Sequence, residues 1–115
     1  MDKFIDQIVI IADQRKFVSA LIIPEYKLLE EYAREHGIQF AGREELCGNA
    51  LIHKMIMERI ETLQQQLAHY EQIKRFTLLP NPFTMESGEL TNTLKMRRKV
   101  INEHYKKEIE AMYAE

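Results

Sequence analysis

The chain has 115 residues, of which 45% are hydrophobic and 30% are charged, and its formal net charge is −2. This composition is typical of one globular domain, and a chain of this length can bury a core without disulfides or metal. The slightly negative charge argues against a domain devoted to nucleic acid. The longest apolar run is too short to span a bilayer, and the acidic start does not resemble a secretory signal, so a soluble domain is expected.

A β-hairpin is predicted at the start of the chain. Residues 8–12 form a β-branched apolar run, and four polar residues separate it from a second apolar run over residues 17–23. Two such runs joined by a short polar segment predict antiparallel strands, and Pro24 is expected to stop the second strand. Because both runs are almost continuously apolar, helices are expected to cover the sheet.

Two helices are predicted to follow the hairpin. Apolar residues over 28–33 have helical spacing, and Gly37 is a suitable stop. A single long helix is predicted from about residue 43 to about residue 69, because apolar residues recur there every three or four positions. That apolar stripe consists of Ile52, Ile56, Ile60, Leu63 and Leu67.

The last third contains a predicted strand and a final helix. Residues 73–79 alternate in polarity as a strand does, and the Pro80-Asn81-Pro82 segment ends it. A turn is predicted over residues 86–89, and a helix over residues 96–113. The fold class is therefore α+β: a small antiparallel or mixed sheet of about three strands, with helices packed on it and one long inserted helix.

The segment just before the final helix carries the residues best suited to chemistry. Lys95 lies on a short irregular stretch, preceded by Thr91 and Thr93. A lysine ammonium is a compact charge suited to phosphate or carboxylate oxygens. The basic cluster over residues 95–99 is also compatible with a solvated helix start or with nucleic-acid phosphates, but no aromatic stacking platform accompanies it.

Two long stretches of sequence resemble one known family. YEQIKRFTLLP at 70–80, FT at 83–84 and GELTNTLKMRRKVI at 88–101 resemble the end of long-chain fatty acid–CoA ligases, in the adenylate-forming superfamily. DKFIDQIVIIADQRKFVSALIIP at 2–24 is similar to the hairpin that follows the hinge in that family. The resemblance covers essentially the whole chain. It departs at Asn92, where the family usually has proline, and at Ala12, where it usually has glycine.

The resemblance implies a role for each residue of the loop. Residues 1–115 would be the mobile C-terminal lid domain of an acyl-CoA synthetase, without the N-terminal domain that binds ATP and the acyl chain. Lys95 would be the catalytic lysine of acyl-adenylate formation. The arginines Arg97 and Arg98 would contact CoA phosphates or the large domain, with a solvated helix face as the alternative. The residues expected to shape the loop are Gly88, Thr91 and Thr93, and the two threonines alternatively act only as turn residues that bond local backbone.

The same resemblance implies cofactors and partners. ATP, Mg²⁺ and CoA would serve the full-length enzyme, with Mg²⁺ held mainly by ATP and the N-terminal domain. That domain and the fatty acid would be the partners, and neither nucleic acid nor a transmembrane segment is expected. The full-length enzyme would be cytoplasmic or peripheral to a membrane. The isolated chain is predicted to be inactive.

Other reactive side chains are not predicted to form a site. The four histidines show no ligand spacing, and Cys47 is expected to be a small apolar residue on a helix, so no metal site is predicted. A competing hypothesis is a stand-alone helical interaction module, in which the stripe around Ile56 and Ile60 is buried in a partner or in a dimer.

Overall fold

A three-stranded mixed sheet lies at the centre of the fold in a computed structural model that describes residues 2–114. Its strands are β1 (Ile5–Ile11), β2 (Val18–Pro24) and β3 (Ile73–Leu78), in the order β1-β2-β3. Strands β1 and β2 pair antiparallel, whereas β2 and β3 pair parallel. The predicted hairpin and third strand are confirmed, and Pro24 is the last residue of its strand.

Strand β2 is buried on both faces. Every residue from Ser19 to Pro24 is buried. Because successive side chains of a strand point to opposite faces, such a run requires cover on both sides of the sheet. The parallel pairing of β2 with β3 needs a long crossover connection, and helices fill it here.

Five α-helices pack around this sheet in the described part of the chain. They are α1 (Tyr26–Glu35), α2 (Arg43–Cys47), α3 (Ala50–Leu63), α4 (Arg98–His104) and α5 (Lys106–Tyr113), and a short 3₁₀ turn spans His69–Glu71. The α+β class is confirmed, and Gly37 follows α1 with φ +69° as a stop. None of these helices is long and apolar enough to cross a membrane.

The single helix predicted over residues 43–69 is wrong, because the chain forms α2 and α3 instead. Gly48 and Asn49 separate them, and the Asn49 side chain accepts the N–H groups of Leu51 at 2.9 Å and Ile52 at 3.1 Å. Glycine is unfavourable inside a helix and asparagine is a strong N-cap. A new helix therefore starts at this point, although the apolar stripe predicts an uninterrupted one.

Helix α3 also ends earlier than predicted. The buried Gln64 donates to the carbonyl of Ile73 at 3.1 Å and accepts its N–H at 2.9 Å, so the chain leaves the helix to meet the start of β3. Leu63 and Leu67 of the predicted stripe are consequently 61% and 47% exposed. The buried part of the stripe is Ile52, Ile56 and Ile60.

The final helix predicted over residues 96–113 begins later and is divided in two. Met96 pairs with Leu90 in an isolated antiparallel bridge, so the helix begins only at Arg98. At Tyr105 the backbone has φ −114° and ψ 23°, which separates α4 from α5. The two helices bury Ile101, Ile109 and Met112.

Candidate functional site

Lys95 lies at the end of a tight turn over residues 91–95. The Thr91 N–H donates to the Lys95 carbonyl at 2.8 Å, and the Leu94 N–H donates to the Thr91 carbonyl at 2.9 Å. Leu94 has φ +63°, in the left-handed region. A three-residue hairpin loop commonly ends with a left-handed residue of this kind. Leu90 and Met96, the residues that flank this turn, pair in the antiparallel bridge.

The hydroxyl of Thr91 organises the inside of this turn. Its Oγ1 accepts the Lys95 N–H at 3.0 Å and the Thr93 N–H at 3.3 Å, and it lies 3.1 Å from the Thr93 hydroxyl. Short polar side chains stabilise turns by bonding local backbone in this way. The two threonines singled out from the sequence therefore lie together, and Thr91 makes the bonds that fix the backbone of Lys95.

Gly88 lies at the turn that precedes this loop. Its N–H donates to the Met85 carbonyl at 3.0 Å, and its φ of +81° lies in the left-handed region. A Cβ added at this position would meet only Val100 Cγ1, at 3.9 Å. The backbone angle, rather than crowding, is thus what favours glycine here.

Glu89 is a buried acid that no sequence pattern singles out. It is 3% exposed, and its carboxylate accepts from the Ser87 hydroxyl at 2.8 Å and contacts Nδ1 of His104 at 2.8 Å. Its backbone carbonyl accepts the N–H of Arg97 at 2.8 Å. Burial, and then the charges of Glu89 and Glu108, raise the pKa of Tyr105.

The ammonium of Lys95 is directed to solvent. The residue is exposed, and its side chain makes no hydrogen bond or ion pair within residues 2–114. Its neighbour Leu94 is 66% exposed, although it is a large apolar residue. The loop is therefore fixed through its backbone, while the charged end of the lysine remains available to a ligand.

The two arginines that follow Lys95 differ in their surroundings. Arg97 is exposed, and its backbone closes the base of the loop on Glu89. The guanidinium of Arg98 instead donates to the carbonyl of Ile10 on β1 at 2.6 Å. Arg98 also lines an open cleft of about 610 Å³ between β1 and the last two helices, which Lys95 does not reach. The structure thus brings Lys95 and Arg97 to one loop and places Arg98 at a separate cleft.

That cleft has a mixed charge. Its cationic residues are Arg15, Arg98, Lys99 and Lys106, and its acidic residues are Asp13, Glu103 and Glu110. Arg15 lies 2.7 Å from Glu110, and this hydrogen bond, followed by the arginine charge, lowers the pKa of that carboxyl. The lining thus carries one more cation than acids, and the potential in the cleft is slightly positive.

The other reactive side chains lie apart from the loop. His53 stacks on Phe76 with ring centroids 4.1 Å apart, and the Cys47 sulfur lies 2.9 Å from the hydroxyl of Tyr26. Burial is the main cause that raises the pKa of the Cys47 thiol. Among residues 2–114, no three His, Cys, Asp or Glu side chains are grouped to hold a metal ion.

Known proteins are similar to this chain over most or all of its length. The family model of the AMP-binding enzyme C-terminal domain matches residues 1–115. Rat long-chain-fatty-acid–CoA ligase 5 is 31% identical over 101 residues, which are 86% of this chain and 15% of that enzyme. The long-chain-fatty-acid–CoA ligase FadD15 of Mycobacterium tuberculosis is 32% identical over 113 residues, 95% of this chain and 18% of that enzyme. The chain thus spans only about 15–18% of the length of these relatives.

Solved structures share the fold. The adenylation domain of a carboxylate reductase from Mycobacterium chelonae superposes with a TM-score of 0.76 and 26% identity, covering 97% of this chain and 16% of that one. A second match is the adenylation domain of a carboxylic acid reductase from Segniliparus rugosus, solved in complex with AMP and a co-purified carboxylic acid. It superposes with a TM-score of 0.74 and 23% identity, covering 96% of this chain and 16% of that one. Since the family model spans every residue, the chain belongs to the C-terminal domain family of AMP-binding enzymes.

Proposed function

We propose that this chain is the mobile C-terminal domain of an AMP-forming long-chain fatty acid–CoA ligase and that Lys95 is its adenylation lysine. The observation that carries the proposal is the exposed ammonium of Lys95 on an ordered turn. The hydroxyl of Thr91 holds the backbone of this turn by accepting the Lys95 N–H at 3.0 Å. The relatives that bear the name of such ligases support the substrate class.

The charge of Lys95 suits the first half-reaction. A fatty-acid carboxylate attacks the α-phosphate of ATP, which brings two anions together and releases pyrophosphate. An ammonium placed between them would offset their repulsion and stabilise the charge that develops on the phosphate oxygens. Such reactions depend mostly on positioning and charge stabilisation, so a backbone-fixed loop suits the task.

The second half-reaction would use another face of the domain. Coenzyme A displaces AMP from the acyl-adenylate through its thiol, and rotation of the domain would withdraw Lys95 before that step. The cleft beside Arg98 offers cations to the phosphates of CoA. Arg97 would contact either CoA or the large domain from the Lys95 loop.

Most of the substrate-binding groups would belong to the rest of the ligase. The ATP pocket, the acyl tunnel and the ligands of Mg²⁺ would belong to the N-terminal domain and to ATP itself. Residues 2–114 contain no cluster of carboxylates or histidines that fits a metal ion. The chain alone should therefore not catalyse the reaction.

The structure does not support the competing hypothesis of a stand-alone interaction module. That hypothesis requires the stripe of α3 to be available to a partner. Ile52, Ile56 and Ile60 are instead buried in the core of this domain. Within residues 2–114 only Leu63 and Leu67 of the predicted stripe are exposed, so the stripe as a whole is not available to a partner.

The test is the substitution Lys95→Ala in the assembled ligase, meaning this domain joined to its ATP- and acyl-binding domain. Acyl-adenylate formation, measured as fatty-acid-dependent ATP–pyrophosphate exchange, should fall by about three orders of magnitude, as removal of a transition-state electrostatic contact does. Thioester formation from supplied acyl-adenylate should largely survive. Equal loss of both half-reactions, or no loss of the first, contradicts the proposal. Lys107→Ala removes an exposed lysine of α5 and is the matched control.

A further inference from the structure

The carboxylate of Glu89 occupies an unusual place for an acid. Only 3% of the residue is exposed, and all of its polar contacts go to the segment around the Lys95 loop or to α4. Burying a carboxylate costs free energy unless hydrogen bonds compensate it. Since the adenylation chemistry described above does not use Glu89, its burial needs another reason.

Glu89 joins three parts of the site at one residue. Its backbone carbonyl accepts the Arg97 N–H at 2.8 Å, which closes the base of the Lys95 loop. Oε1 accepts from the hydroxyl of Ser87 at 2.8 Å, and Oε2 lies 2.8 Å from Nδ1 of His104, the last residue of α4. The side chain of Glu89 thus ties α4 to the start of the loop that presents Lys95, and its backbone carbonyl holds the end of the loop at Arg97.

The contact with His104 is directional. With Glu89 ionised, its carboxylate can only accept, so the 2.8 Å contact then requires His104 to donate through Nδ1. A hydrogen bond to an ionised acceptor is short and about twice as strong as a neutral one. This pair therefore fixes the carboxylate, and through it the backbone of Glu89, more firmly than an amide would.

We propose that Glu89 is a positioning residue for adenylation, which anchors the base of the Lys95 loop to α4 through His104. The proposal rests on the role of Lys95 proposed above. Glu89 touches no substrate and acts through the backbone between itself and Arg97. Its loss should affect the placement of the ammonium rather than the binding of ATP or fatty acid.

The kinetic test compares Glu89→Gln with Glu86→Gln in the assembled ligase. Glu86 is an exposed glutamate of the same turn and loses the same charge. For Glu89→Gln the kcat of adenylation should fall by about tenfold, as expected when a buried ionic hydrogen bond weakens. The KM values for ATP and fatty acid, and thioester formation from supplied acyl-adenylate, should stay close to wild type. Glu86→Gln should match wild type in every respect.

Variants of His104 add a rescue experiment. His104→Ala removes the donor and should reproduce the kcat loss of Glu89→Gln. Asparagine carries an amide N–H near the position of Nδ1, so His104→Asn should recover most of the activity. On the chain alone, amide hydrogen exchange at Leu94, Lys95 and Arg97 should be about tenfold faster in Glu89→Gln than in Glu86→Gln.

Each outcome decides the question. If both half-reactions and the unfolding temperature fall together in Glu89→Gln, the residue is only structural and the positioning role is wrong. If Lys95→Ala abolishes adenylation while Glu89→Gln and His104→Ala do not reduce it, the proposed function stands and this inference fails. If Lys95→Ala leaves adenylation intact, the proposed function fails and the positioning role fails with it.

Discussion

The hydroxyl oxygen of Thr91 accepts the backbone N–H of Lys95 at 3.0 Å, and the backbone N–H of Thr91 donates to the carbonyl of Lys95 at 2.8 Å. A side chain thus takes one of the two positions that backbone groups normally fill in a hairpin pair. Because Thr91 is only half-buried, its hydroxyl can be removed with little effect on the core. The geometry of the loop can therefore be tested separately from the stability of the fold.

Thr91→Val removes the hydroxyl while it keeps the shape of the side chain. The N–H groups of Thr93 and Lys95 then lose their acceptor, and the loop should become more mobile. The kcat of adenylation in the assembled ligase should fall by about five- to tenfold, the equivalent of one ordinary hydrogen bond. The free energy of unfolding of the chain, measured in urea, should change by about 1 kcal/mol or less. Thr91→Ser restores an acceptor and should recover the rate; if it does not, the hydroxyl is not what holds the loop.

Asn92→Pro should make the same loop more rigid. Asn92 is exposed, follows Thr91 in the turn, and its N–H makes no hydrogen bond within residues 2–114. Proline fixes φ and restricts the unfolded chain, which stabilises a compatible turn by about 0.4–1 kcal/mol. Unfolding in urea should show this gain, and adenylation should be maintained. A loss of stability would show that the turn does not accept proline's φ.

The hairpin, the third strand and the position of Lys95 could be predicted from the sequence because local signals determine them. Two apolar runs, the second ended by Pro24, and a lysine between a glycine turn and a helix need no distant contact to be recognised. Glu89 could not be selected in this way. Its partner His104 is 15 residues away along the chain, at no regular spacing, and only the packing of α4 on the loop brings the two together.

The predicted helix boundaries are wrong for a related reason. Apolar spacing alone predicted that α3 continues to residue 69, but it cannot reveal that Gln64 meets Ile73 through two hydrogen bonds. Such a contact between distant segments overrides helical periodicity. The cap at Asn49, by contrast, is a local signal: a Gly-Asn pair in the sequence favours a helix break at this point.

Two members of the predicted stripe should now respond very differently to truncation. Ile56→Ala removes a side chain that is fully buried, and it should lower the free energy of unfolding by about 2–5 kcal/mol. Leu63→Ala truncates a side chain that is 61% exposed, and it should cost about 0.5 kcal/mol or less. Urea unfolding of the chain measures both values. Similar losses at the two positions would mean that α3 continues as one buried helix past Leu63.

Arg98→Ala should affect the second half-reaction. The side chain lines the cleft beside β1 and lies away from the Lys95 loop. Loss of one charged contact to a CoA phosphate should raise the KM for CoA by about fivefold and leave ATP–pyrophosphate exchange unchanged. Lys107→Ala, which removes an exposed charge outside the cleft, is the comparison. An unchanged KM for CoA would assign Arg98 only to its bond with the carbonyl of Ile10.

Alkaline unfolding should depend on Tyr26. Burial, and then its hydrogen bond with Cys47, raise the pKa of Tyr26 well above the ordinary value of 10.0. The folded chain therefore keeps a proton that the unfolded chain releases above about pH 10, so stability is complete below that pH and falls as the pH rises. Burial also raises the pKa values of Cys47 and Tyr105, which contribute to the same fall.

Tyr26→Phe should reduce the slope of stability against pH between pH 9 and 11 without removing it, because those two groups remain. At neutral pH the variant should be less stable by about 1–3 kcal/mol, since the carbonyl of Leu79 loses the donor that lies 2.6 Å away. Urea unfolding at a series of pH values measures both effects. Tyr70→Phe alters a residue that is 81% exposed and should leave the slope as it is in the wild-type chain. Equal slopes for Tyr26→Phe and wild type would show that the Tyr26 phenol ionises alike in the folded and unfolded chain, contrary to its burial against Cys47 and Leu79.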